Sequence, residues 1–277
     1  MQLESTFFKI EIDGPVAHLI MNRPDKANSM TPDFWDDLPR LTRALDRDPA
    51  IRAMVISGEG KHFSSGMDLS GFDMIMELLD AEPARAAYAL RELILRFQDT
   101  FTALEQARFP VIAAIHGACV GGGIDLITAC DIRLSTRDAF FSIEEIHIGM
   151  TADVGTLQRL PKLIAPGIAR ELAFTGRRFS AGEAHAWGLC NMLLEDKKSL
   201  LDAAFAMAND IAGKSPLAIA GIKQVSNFAR DHTVADGLDQ IATWNSGMLR
   251  PQDLMAAIEA KKQRKQVVFK DLLQSGN

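Results

Sequence analysis

The chain has 277 residues, 47% of them hydrophobic and 24% charged, with a formal net charge of −6. That is enough apolar material for a sizeable core in one large domain, and a mildly acidic balance gives no electrostatic reason to expect nucleic acid. No apolar run approaches the roughly eighteen residues of a membrane-spanning helix, so no span and no membrane partner are expected.

In chain order, Phe7 to Ile12 and Val16 to Met21 are apolar-rich and flank Asp13-Gly14-Pro15, which is turn chemistry; the pair reads as a hairpin. Asn22 to Ser29 is a polar loop. Thr31 then caps a helix with Pro32 at its first position, running to about Asp46. Ala53 to Ser57 is a short buried strand, followed by a glycine-containing loop from Gly58 to Gly66. Residues 72–108 are helical by composition, interrupted near Pro83. Val111 to Ile115 is another buried strand, and Gly121 to Ala129 a helix entered through glycines. Asp131 to Ser135 and Ala139 to Ile143 read as strands. Asp153 can cap the next helix, which is expected to stop before Pro161. From Ile168 onward the pattern is helical, broken at Gly176, Gly188, Pro216 and Pro251. Units of βα character followed by helices indicate an α/β core, residues 1–205, with a helical C-terminal region, residues 206–277. The basic stretch Lys261-Lys262-Gln263-Arg264-Lys265 belongs to that region and reads as a solvated or subunit-facing helix surface.

The cysteines Cys119, Cys130 and Cys190 cannot all pair and show no CxxC spacing, which argues against a disulfide framework or a zinc site and for a reducing compartment. Neither Met1-Gln2-Leu3-Glu4-Ser5 nor Gln274-Ser275-Gly276-Asn277 has the character of a targeting signal. The expectation is a cytoplasmic enzyme without a metal.

Two loops carry chemistry. His116-Gly117-Ala118-Cys119-Val120-Gly121-Gly122-Gly123 follows a buried strand and opens a helix. Consecutive glycines weaken a helix start, so they serve either close helix–strand packing or close approach of a ligand to bare amides, which stabilise an anion. Neither a dinucleotide fingerprint nor a Walker pattern is present. Gly60-Lys61-His62-Phe63-Ser64-Ser65-Gly66-Met67-Asp68-Leu69 also follows a buried strand and can supply a second amide. His116 reads as structural, and no G-x-S-x-G elbow occurs.

Together, F-S-S-G-M-D-L and H-G-A-C-V-G-G-G-I-D-L resemble the crotonase (enoyl-CoA hydratase/isomerase) superfamily. The likeness extends through Arg23 to Ser29, Cys130 to Arg133, Gln158 to Pro161, Phe174 to Gly176 and Ala181 to Ala184. The resemblance implies a spiral of ββα units with C-terminal helices that build trimers, often paired into hexamers. It implies an oxyanion hole at the amides of Met67 and Gly122. It also implies coenzyme A contacts at Lys26, Ala27, Ser65, Asp68 and Leu69, with the acyl-CoA thioester as substrate and no separate cofactor.

Typical hydratases of the superfamily carry two glutamates, whose positions here hold Asp125 and Glu145. A third acid, Asp153, stands where those enzymes usually have glycine. The trio Asp125, Glu145 and Asp153 is similar to that of the dienoyl-CoA isomerases, which implies proton transfer between two distant carbons by two carboxyl groups: Glu145 as the base at C2 and Asp153 as the acid at C6, or the two exchanged, with Asp125 orienting or tuning them. Glu144 departs from the pattern; in an extended segment it would point away from Glu145. From the residues alone, Asp153 is equally a helix cap and Asp125 a favourable first-turn acid. A hydratase using Asp125 and Glu145, and a non-catalytic binding member of the fold, are the alternatives.

Overall fold

The structure is a computed structural model that describes residues 3–273; the terminal residues read above for targeting, 1–2 and 274–277, lie outside it. The chain opens on strands β1 (Phe8–Asp13) and β2 (Val16–Met21), which pair antiparallel across Gly14, at φ +54°. β3 (Ala53–Gly58), β4 (Val111–Ile115), β6 (Ile132–Thr136) and β9 (Met192–Leu194) add in parallel, giving the order β1-β2-β3-β4-β6-β9. β3 and β4 are buried along their whole length. This is why they read as unbroken apolar runs rather than alternating ones. A second, three-stranded sheet holds β5 (Ala118–Val120), β7 (Phe140–Ser142) and β8 (Phe179–Ser180).

The chain moves repeatedly from the first sheet to a strand or single bridge at its edge, then into a helix. β2 leads to Met30, which bridges Met67, and to α1 (Pro32–Arg47). β3 leads to Ser64, which bridges Cys119, and to α2 (Leu69–Leu79) and α3 (Pro83–Gln106). β4 leads to β5 and α4 (Gly122–Ala129). β6 leads to β7, a 3-10 turn over Glu145–Ile148, and α5 (Thr156–Leu163) with α6 (Pro166–Thr175). Each turn of this spiral sets its post-strand loop against the preceding one, the expected ββα arrangement.

α7 (Ala181–Ala186) leads to β9, and α8 (Lys197–Ala212) covers the sheet's other face. Leu200, Ala204, Ala208 and Ala212, one per turn, pack on Val16, Val55, Ala114 and Leu134. Residue 205, near which the boundary was expected, lies within this helix. Beyond it, α9 (Pro216–Asp231), α10 (Val234–Met248) and α11 (Pro251–Gln263) leave large apolar side chains uncovered, including Val234 at 80% and Leu238 at 64% exposure.

Three local expectations need correction. Thr31 occupies the N-cap of α1, but its hydroxyl makes no capping bond. α5 does not stop before Pro161; the missing amide removes one bond and the helix continues to Leu163. Asp153 does not cap α5. Gly155, at φ +137°, takes the cap position, and Asp125 Oδ1 accepts the Thr156 amide at 2.6 Å instead.

Candidate active site

The loops after β3 and β4 meet at glycine. A methyl group placed on Gly66 would lie 3.1 Å from the Val120 carbonyl and 3.3 Å from the Gly122 amide nitrogen. With Gly66 at φ +84° and Gly121 at φ +52°, backbone conformation and close approach both demand glycine here. The neighbouring strands are tied by Ser64, which donates its amide to the Ala118 carbonyl and accepts from the Val120 amide. Among the described residues, the amides of Met67 and Gly122 donate to no protein acceptor. Gly122 is the first residue of α4, where an unpaired amide is inherent to helix geometry. Both residues line one cavity of about 160 Å³, so the expected pair of free donors is brought together.

The acids divide into two in the cavity and one behind it. Glu145 and Asp153 both line it. Glu145 stands beside the glycine corner: a methyl group on Gly121 would lie 3.5 Å from its Oε1. Burial pushes its carboxyl up to about 7, reinforced by Asp125, Asp153 and Glu144. Its Oε2 is buried and finds no protein partner among the described residues. Burial also raises Asp153. Asp125 is wholly buried and does not line the cavity. Burial brings it to about 6, against the opposing effect of its bond to Thr156. Its charge contributes to the raised titration of Glu145, and its Oδ1 holds the start of α5.

Glu144 is not turned away. It lines the same cavity as Glu145, because the segment enters a 3-10 turn with Glu144 at φ −82°, ψ −17° rather than staying extended. Successive side chains on such a turn are about 120° apart, not opposite.

Met67, Phe72, Ile148, Met150 and Asp153 also line a second, mostly apolar chamber of about 750 Å³ between α2 and α3. The two spaces share these five residues as a common wall. Glu145 lines the space at the glycine corner alone, whereas Asp153 lines both, so Asp153 stands on the side of the apolar chamber.

At the outer rim, Ser65 donates its amide to the Ala27 carbonyl at 2.9 Å and its hydroxyl to the Lys26 carbonyl at 3.4 Å. Lys26 and Ser65 are exposed there. Asp68 is committed to structure: it pairs with Arg23, accepts from Ser29 at 2.8 Å and caps α2 at Ser70. Arg23 holds its carboxyl well below the usual range. Leu69 opens α2, and its side chain lies outside the described residues. His116 is bound to the Gly60 carbonyl away from the cavity. Burial keeps the Cys119 thiol protonated. Sequence reasoning missed Trp35, Phe72 and Met150 as cavity walls; nothing distinguishes them locally from core residues.

Free amides at a glycine corner with two proton-accepting carboxyls beside them can stabilise an enolate and move protons along an acyl chain. A family model described as enoyl-CoA hydratase/isomerase matches residues 11–271. The chain belongs to the enoyl-CoA hydratase/isomerase family. It is 47% identical over 264 residues to the mitochondrial Δ3,5-Δ2,4-dienoyl-CoA isomerase of Rattus norvegicus, covering 93% of this chain and 80% of that one. It is 45% identical to the peroxisomal enzyme of the same name from Arabidopsis thaliana, covering 94% of each. A crystal structure of enoyl-CoA hydratase from Bacillus anthracis superposes with a TM-score of 0.86 at 27% identity, over 96% of this chain and 99% of that one. These relatives overturn the cytoplasmic expectation, since they are named as mitochondrial and peroxisomal. Free cysteines bear on redox setting and do not distinguish one reducing compartment from another.

Proposed function

We propose that this chain is a dienoyl-CoA isomerase, moving the double bonds of a 3,5-dienoyl-CoA into 2,4 conjugation. The observation that supports the reading is the order of groups around the two adjoining spaces: the amides of Met67 and Gly122, then Glu145, then Asp153 in the shared wall, then the apolar chamber. The thioester oxygen takes the amides of Met67 and Gly122. Carbon C2, next to the thioester, then falls to Glu145, and C6, farther along the chain, to Asp153. Glu145 removes the C2 proton, and the electron pair spreads through carbonyl and diene. Asp153 delivers a proton at C6, leaving the 2,4-diene. The productive form has Glu145 ionised and Asp153 protonated. An acyl chain entering the chamber strips Asp153 of water and favours its neutral form. Asp125 tunes the pair from behind, and the three titrate as a coupled set. Lys26, Ala27, Ser65 and the backbone at Asp68 and Leu69 take the coenzyme A portion, which arrives as part of the substrate.

Incubation with a 3,5-dienoyl-CoA should develop the absorbance of the conjugated 2,4-diene. Rapid hydration of crotonyl-CoA without any diene shift would assign the site to water addition instead. We also read the protein as a homo-oligomer, a trimer or pair of trimers, on the uncovered apolar faces of α9 to α11.

A further inference from the structure

The turn that carries Asp153 has two sides. One faces the reaction cavity. The other faces a polar cavity of about 420 Å³ lined by Gln98, Thr102, Glu105, Arg159 and Arg230, and Val154 borders both. Among the described residues, no other residue donates a hydrogen bond to the Asp153 carboxyl; its own amide does, so its position is inherited from the main chain of the turn. Gln98 Nε2 donates to the Asp153 carbonyl at 2.7 Å.

Gln98, Thr102 and Glu105 form one stripe of α3, spaced by four and three residues. Arg159, on the first turns of α5, donates to Thr102 Oγ1 at 3.2 Å and to Glu105 at 3.1 Å. Its guanidinium occupies the space where a side chain on Gly155 would have to sit. Glu105 is mostly buried and also pairs with Arg230 of α9, and its carbonyl accepts from Asn227 at 3.0 Å. The stripe thus clamps the turn from behind and ties it to the C-terminal helices.

We infer that Gln98, backed by the Arg159–Glu105–Arg230 cluster, is a positioning residue that sets Asp153 against the reacting chain. The inference rests on the reading of Asp153 as the proton donor for C6. A displacement of about 1 Å at a reacting group can cost as much as about a hundredfold in rate. Gln98 is half-buried, so removing its amide leaves the core intact.

The test is a double-mutant cycle on the full chain with a 3,5-dienoyl-CoA. Gln98→Leu should lower kcat about tenfold, with KM and Tm near wild type. In an Asp153→Asn background the same change should cost nothing further, because a residue acting through Asp153 has nothing left to position. Glu105→Gln, which keeps an acceptor for both arginines, should behave the same way with a smaller loss. Wild-type turnover in Asp153→Asn would sink the reading of the site itself. A crippled Asp153→Asn with a fully active Gln98→Leu would overturn the positioning role alone. So would a Gln98→Leu loss that multiplies equally in both backgrounds, or one accompanied by a fall in Tm.

Discussion

Glu145 is a carboxyl held at an energetic cost, with one buried oxygen unpartnered among the described residues and its titration moved to about 7. Between about pH 4.5, its ordinary value, and about pH 7 the folded protein keeps a proton that the unfolded chain releases. Stability therefore falls as pH rises through that window. Glu145→Gln removes this liability. Its Tm should exceed that of the wild type at about pH 8, and the difference should vanish below about pH 4.5 in thermal melts. The same titration governs activity: kcat/KM should climb with pH through about 7 as the base ionises. Asp153→Asn and Glu145→Gln should each lower kcat by at least about a hundredfold, the scale of a general acid–base contribution, in the diene absorbance assay. Glu144→Gln should leave the plateau within about threefold. It should move the acidic limb to lower pH, because a negative charge that raises Glu145 is removed. Glu145 and Asp153 were legible only through the family resemblance, which marks their places in the chain although they lie 22 and 30 residues beyond Gly123. The orientation of Glu144 was not legible, because it depends on a 3-10 turn that no local residue announces.

At the scale of elements, α5 starts without a cap of its own, and its first amide is satisfied by Asp125 from α4. This couples one of the acids to the placement of another, since the segment leading into α5 carries Asp153. Asp125→Ala should destabilise the fold by about 1–2 kcal/mol, the value of a lost cap and an orphaned amide, in denaturant titrations. Asp125→Asn keeps an acceptor and should lose less. The hairpin of β1 and β2 and the buried strands β3 and β4 were readable because period and turn chemistry act within a few residues. The cap of α5 was not, because its partner lies 31 residues away.

For the whole molecule, α10 presents Val234 and Leu238, and α9 presents Ile222, all mostly exposed. Sedimentation should give a mass that is a multiple of the 30.3 kDa chain. Leu238→Lys, which puts a charge where burial is expected, should shift the protein toward smaller species. A monomeric wild type would leave these faces without a role.

The sequence by itself determined the α/β class, the two glycine loops, the family likeness and the identity of the acids, because these rest on residue types and short spacings. Only the tertiary structure decided that Asp125 stands behind the cavity as a cap, that Glu144 shares the cavity, and that Gln98 and Arg159 brace the Asp153 turn. Each of those depends on segments far apart in the chain meeting at one place, and a one-dimensional pattern carries no record of that meeting.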